Sequence, residues 1–238
     1  VAGLADRVVL VTGATGILGR VVVARFAAAG ARLGLVGTHL ERLTEVARDL
    51  GLDADRWAPG TGDLRDDAET RAAVKSVTDR LGRVDVVLHL VGGWTGGTAV
   101  VDLDPAELRT MLGQHLWTTL NVVQATVPEM VVAGWGRVAA VGSRPALEAS
   151  PKSASYAVGK TAEDTLLRTL AREVAGTGVT ANLVTVGTID EKHERDSAPT
   201  PKNASWTTPE EIAAAFLFLC SDEAAAVNGA RLPLDLKG

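Results

Sequence analysis

Residues 8–20 read VVLVTGATGILGR, and this stretch decides the fold. Val8–Thr12 is an unbroken apolar run rich in β-branched residues. Such a run suits a strand buried on both faces. Gly13, Gly16 and Gly19 follow at a spacing of three, and from Leu18 to Ala29 the pattern becomes helical. A strand that passes through glycines straight into a helix makes a tight turn with little side-chain bulk. The first N–H groups of that helix lack intrahelical partners and stand at the positive end of its dipole. A phosphate group fits such a place.

The same alternation continues along the chain. Strands are expected at Arg32–Gly37, Val84–Val91, Arg137–Val141 and Val179–Val186, with weaker ones at Trp57–Pro59 and Arg231–Leu234. Helices are expected near Leu40–Leu50, Asp67–Leu81, Pro105–Ala133 and Ser155–Ala175. A last one, Pro209–Cys220, opens after the start signal Thr207-Thr208-Pro209. The strands are continuous apolar runs rather than alternating ones, so helices should cover both faces of a parallel sheet. Right-handed crossovers then give an α/β fold, a single Rossmann-type doubly wound sheet flanked by helices. Residues 1–238 contain no linker rich in Pro, Gly or Ser and no repeat, so they are expected to form a single domain. The long polar stretch 191–205, EKHERDSAPTPKNAS, lies between a strand and a helix and reads as a mobile loop. With its flanks it forms an expected substrate loop at about 188–207.

Composition narrows the function. The chain is 46% hydrophobic and 22% charged, as a globular protein is. Its net charge is −5 with scattered basic residues, which argues against nucleic acid. No apolar run is long enough to span a membrane. The start has no basic segment leading into a long apolar one, so no signal peptide is expected. Cys220 is the single cysteine and sits in AAAFLFLC, a buried hydrophobe with no disulfide partner in the chain. No metal site is assigned. Together these features point to a soluble cytoplasmic protein.

The chemistry lies in SYAVGKT, residues 155–161. Tyr156 is the only tyrosine, and Lys160 is one helical turn further on the same face. A phenol is a poor base near neutrality, but a neighbouring ammonium favours its phenolate. Such a group can take a proton from an alcohol or give one to a carbonyl oxygen, while a cofactor carries the hydride. Ser143 stands thirteen positions before Tyr156, just past the apolar run RVAAVG. It should reach the same crevice and stabilise charge on the substrate oxygen.

In these motifs the chain resembles the short-chain dehydrogenase/reductase family. The turn TGATGILG matches its TGxxxGxG pattern, and Ser143, Tyr156 and Lys160 match its catalytic set. Gly62-Asp63-Leu64, Gly92 and the strand Asn182–Gly187 fall in further family slots, though Val186 replaces a proline. The resemblance covers nearly the whole chain and implies a nicotinamide dinucleotide cofactor. It implies that Gly13, Thr15, Gly16, Ile17, Gly19, Asp63, Leu64, Gly92 and Gly187 line that cofactor, with Lys160 on the nicotinamide ribose and Tyr156 beside it. The family's usual asparagine is missing, and its slot holds His115, which can serve as a substitute proton relay or as a buried histidine. At the end of the second strand, Gly37 and Thr38 stand where an acid would favour NAD or an arginine NADP. The missing carboxylate tilts the choice slightly to NADP. The long helix and the Tyr156 helix form the subunit interface in this family, which implies a homodimer or homotetramer.

GGWTGG at 92–97, HLWTT at 115–119 and SWTTPEE at 205–211 are similar to the dihydropteridine-reductase branch of the family. They imply a flat substrate ring against Trp94, with Trp206 closing over it. Two features separate the chain from that branch, namely the presence of Ser143 and the lack of an aspartate near Thr38. The expected function is hydride transfer between NAD(P) and a small-molecule carbonyl or alcohol. Pterin reduction and a non-catalytic dinucleotide sensor are the alternatives, and a sensor has less need of the Tyr156–Lys160 pair.

Overall fold

The computed structural model describes residues 3–234. It contains one seven-stranded sheet whose pairs are all parallel, in the order β3-β2-β1-β4-β5-β6-β7. The strands are β1 (Val8–Thr12), β2 (Arg32–Gly37), β3 (Trp57–Thr61), β4 (Val86–His89), β5 (Gly136–Ser143), β6 (Val179–Val186) and β7 (Arg231–Pro233). The main helices on one face are α1 (Ile17–Ala28), α2 (Leu40–Asp49) and α9 (Pro209–Leu219). On the other lie α3 (Asp67–Leu81), α5 (Thr118–Val132) and α7 (Ala154–Glu173). Three shorter helices are α4 (Pro105–Leu112), α6 (Arg144–Leu147) and α8 (Glu194–Ser197).

Alternate residues of one strand enter opposite cores. Val9 and Val11 join Phe26 and Phe216 in one cluster, whereas Val8 and Leu10 join Val77, Val127 and Leu167 in the other. This is why the strands read as unbroken apolar runs: both faces are covered. Among the described residues no helix is long and apolar enough to cross a membrane.

Three local outcomes matter for the site. β4 is shorter than expected at both ends; at its far end the Leu90 N–H donates to the Thr12 hydroxyl at 3.2 Å instead of continuing the strand ladder. The long helix expected over 105–133 is α4 and α5 joined by a π turn, Gly113–Trp117. The polar stretch 191–205 is tied down rather than slack. Asp190 accepts the N–H groups of Glu194 and Arg195 at 2.8 Å each, and Arg195 holds Glu211 with two hydrogen bonds. Glu211 also completes the capping box with Thr208 that starts α9 where the Thr-Thr-Pro signal placed it.

Candidate active site

The strand order reverses between β1 and β4, and a doubly wound sheet opens its ligand crevice at such a point. The glycine turn lies there. Gly13 has φ +68°, and a Cβ on it would stand 3.1 Å from the Leu90 carbonyl oxygen. A Cβ on Gly19 would come within 2.3 Å of the Gly13 carbonyl oxygen. The fold itself requires these two glycines. Gly16 differs, because a Cβ there would meet only the Gly13 oxygen, at 3.5 Å. Its bareness serves the space outside the turn. Gly16 caps α1 without a side-chain hydrogen bond, and the first turn of α1 has no acidic residue. By contrast α3, α4 and α9 start with side-chain caps and acids. A bare, uncapped helix start at a switch point fits a dinucleotide's diphosphate.

The chain around the turn extends toward the ends of β2 and β3. The Thr15 methyl lies 3.9 Å from a Cβ built on Gly37. Thr38 is exposed just past β2. Hydrogen bonds from Arg65 hold the Asp63 carboxyl below the usual carboxylate range, and the Leu64 carbonyl accepts from Asn121 at 2.9 Å. Thr15, Thr38, Asp63 and Leu64 lie outside the walls of the main cleft.

That cleft has a volume of about 920 Å³. One set of lining residues is the glycine turn, with Gly13, Gly16, Ile17 and Gly19. A second set is Ser143, Tyr156, Lys160 and Gly187. Gly92, His115 and Trp94 complete the part assigned from sequence, and Trp94 is 69% exposed. Trp206 is not among the lining residues. Its backbone carbonyl accepts from Arg195 at 2.8 Å and its backbone N–H donates to the Asn203 carbonyl at 3.0 Å, which pins the loop backbone at this point. The cleft also meets Lys152 and Glu191, which sequence reasoning did not single out.

Ser143 ends β5 and caps α6, where its Oγ accepts the Ala146 N–H at 3.3 Å. Its own O–H remains available to the cleft. Tyr156 is half-buried on the first turn of α7. Its ring stands edge-on to that of His115, with centroids 5.6 Å apart and planes at 79°.

A buried polar layer supports these groups. His115 sits within the π turn, an irregularity that often marks functional sites. The Thr118 and Thr119 hydroxyls satisfy the Gln114 and His115 carbonyls at 2.7 and 2.5 Å. The His115 Nε2–H donates to the Gly93 carbonyl at 3.0 Å, which leaves a lone pair on Nδ1; that buried atom has no hydrogen-bond partner among the described residues. A Cβ on Gly92 would lie 2.8 Å from the His115 ring, and one on Gly159 would lie 3.0 Å from it, so both glycines let backbone close on the imidazole. His89 bridges Thr12 at 2.9 Å and Thr118 at 3.2 Å. Thr118 donates to a carbonyl, so it accepts from Nε2–H of His89, and Nδ1 accepts from Thr12. Burial, and then the charge of Lys160, lowers His115 to about 3. Burial, then Lys160 and His115, lowers His89 to about 3. Both imidazoles are neutral at ordinary pH.

Lys160 Nζ donates to the Val141 carbonyl at 2.8 Å and to Glu163 Oε2 at 2.7 Å. An ammonium has three N–H groups, so one remains. Glu163 is fully buried. Burial pushes its carboxyl up, against the pull of Lys160. Sequence reading passed over this residue, although the signal was there: Tyr156, Lys160 and Glu163 follow an i, i+4, i+7 pattern on one helix face.

A sheet with this strand order, a bare glycine turn and a Ser–Tyr–Lys group in one cleft define a dinucleotide-dependent oxidoreductase. The comparisons agree. The family model for short chain dehydrogenase matches residues 7–202. D-threitol dehydrogenase of Mycolicibacterium smegmatis is 30% identical, over 98% of this chain and 92% of the relative. An uncharacterised NAD-dependent oxidoreductase of Mycobacterium tuberculosis is 29% identical, over 98% of this chain and 95% of its own length. The crystal structure of levodione reductase superposes with a TM-score of 0.86 at 27% identity, over 98% of this chain and 97% of that one. The chain belongs to the short-chain dehydrogenase/reductase family. It is an oxidoreductase that uses a nicotinamide cofactor on a small molecule.

Proposed function

We propose that Tyr156 exchanges the proton with the substrate oxygen, that Ser143 holds that oxygen, and that Lys160 keeps positive charge beside the phenol. When bound, the nicotinamide cofactor supplies or accepts the hydride. In alcohol oxidation Tyr156 takes the hydroxyl proton; in carbonyl reduction it gives one. The free Ser143 O–H donates to the oxygen as charge develops there. The remaining N–H of Lys160 faces the cleft, for the phenol or the ribose. The turn from Gly13 to Gly19 holds the diphosphate, and Thr15, Asp63 and Leu64 lie on the adenosine side. The observation that carries this reading is that Ser143, Tyr156 and Lys160 line the same cleft as the glycine turn.

The finer choices follow from particular residues. Gly37 and Thr38 stand at the end of β2 where a ribose-binding acid would be, which suits NADP over NAD. Trp94 offers an exposed indole for one face of a flat substrate. A homodimer or homotetramer would cover the apolar side of α6 and α7, where Leu147 and Val158 are exposed. We read residues 1–238 as a single domain and the protein as cytoplasmic.

The test combines thermal shifts with NADH and NADPH and turnover of a panel of secondary alcohols, ketones and quinonoid dihydropterin. NADPH should give the larger shift, and one alcohol–ketone pair should turn over. Tyr156→Phe should keep the cofactor shift and lose about 100-fold or more in turnover. A Tyr156→Phe variant with near-parental rates would overturn the assignment.

A further inference from the structure

Behind the catalytic lysine lies a buried carboxylate with no role in the reading above. Glu163 is 0% exposed, and Lys160 is its one short hydrogen-bond partner, at 2.7 Å. Its other oxygen is 3.5 Å from the Thr119 hydroxyl, which already donates to the His115 carbonyl. The next residue, Asp164, is taken up by Arg231 and Arg168, so it does not share Lys160. From the π turn, the bare Nδ1 of His115 faces Glu163 Oε2 at 3.9 Å, two buried acceptors. From β4, His89 is saturated by its two threonines. The ammonium is therefore the only full positive charge that this carboxylate pairs with among the described residues.

We propose that Glu163 is a positioning residue for the reaction: it locks the Lys160 ammonium against the Val141 carbonyl, aims the remaining N–H at the cleft, and partly offsets the positive charge that Tyr156 feels. The proposal rests on Tyr156 and Lys160 acting as assigned above. Two acceptors fixed in the protein interior stop the ammonium from rotating freely, and the third N–H then points away from both. The offset follows from Coulomb's law, because a carboxylate 2.7 Å from the nitrogen weakens its field at any point in the cleft.

The single tyrosine makes this measurable without a substrate. Tryptophan does not ionise, so near-ultraviolet phenolate absorption during a pH titration reports Tyr156 alone. Glu163→Gln keeps the shape and an acceptor oxygen but removes the charge. Its phenolate signal should appear at lower pH than the parent's, by about one pH unit. Glu163→Met fills the volume without an acceptor and should shift the signal the same way, which serves where the amide does not fold. Glu163→Asp keeps the charge and should leave the signal within a few tenths of a unit of the parent. An unmoved signal in Gln and Met, or one moved to higher pH, overturns the proposal. So does an Asp variant that moves as far as Gln. Failure of the underlying reading looks different: Tyr156→Phe would then retain turnover, whatever Glu163 does.

Discussion

The two ends of the cleft are built by different means. At the proposed nucleotide end the groups on offer are backbone: Gly16 leaves space outside the turn, and α1 begins without a side-chain cap. At the chemical end they are side chains, stacked two layers deep. Ser143 and Tyr156 face the cleft, with Lys160, Glu163 and His115 in or behind its wall. A backbone site tolerates change wherever space remains, and fails at once where it does not. A side-chain site depends instead on how each charge is compensated. It should therefore respond to pH as well as to shape.

The glycine turn gives the largest expected effects. Gly19→Ala puts a methyl 2.3 Å from the Gly13 carbonyl oxygen. We expect about 1–3 kcal/mol of lost stability and loss of cofactor binding, read by urea melts and thermal shift. Gly16→Ala meets nothing closer than 3.5 Å. It should cost less than about 1 kcal/mol of stability while weakening cofactor affinity about tenfold. If both variants behave alike, the second glycine does not serve a ligand.

The buried histidines give an effect confined to acid. His89 is lowered to about 3 from the ordinary 6.5, so its folded state stays neutral where the unfolded chain takes up a proton. Its contribution is complete above about pH 6.5 and is lost as pH falls toward about 3. His89→Gln should flatten that acid loss when urea midpoints are measured from pH 7 down to about pH 4. An equally steep decline in the variant would show that His89 is not held neutral. The smallest effect is expected at the exposed rim. Trp94→Ala should raise the KM for flat cyclic ketones by several-fold, equivalent to about 1 kcal/mol. Small acyclic ketones should be affected less, and equal changes would remove the stacking role.

The same contrast governs how much could be read from sequence. The turn, β1 and α1 were legible because their signals are local: an apolar run, three glycines and a helical period within residues 8–29. The placement of Tyr156, Lys160 and Ser143 in one cleft was legible for a related reason, since an i, i+4 pair on one helix and a serine at a strand end need only neighbouring residues. Glu163 shares their face, but nothing local says that this part of the face is buried. That depends on α7 packing against the π turn across Gly159, a contact between segments more than forty residues apart. The π turn within the expected long helix had only Gly113 as a local signal, because the apolar period runs through 113–117 without a proline. Trp206 is less legible, because a motif fixes neighbours in sequence and not where a loop folds. Asp190 and Arg195 set that path.

The most direct test of the account is the phenolate titration of Tyr156 in the parent protein and in Lys160→Met. The proposed role of Lys160 is to put positive charge beside this phenol, and if it does, the signal in Lys160→Met should appear at higher pH than in the parent by about one unit or more. Superimposable titration curves would contradict the claim that the lysine governs the tyrosine.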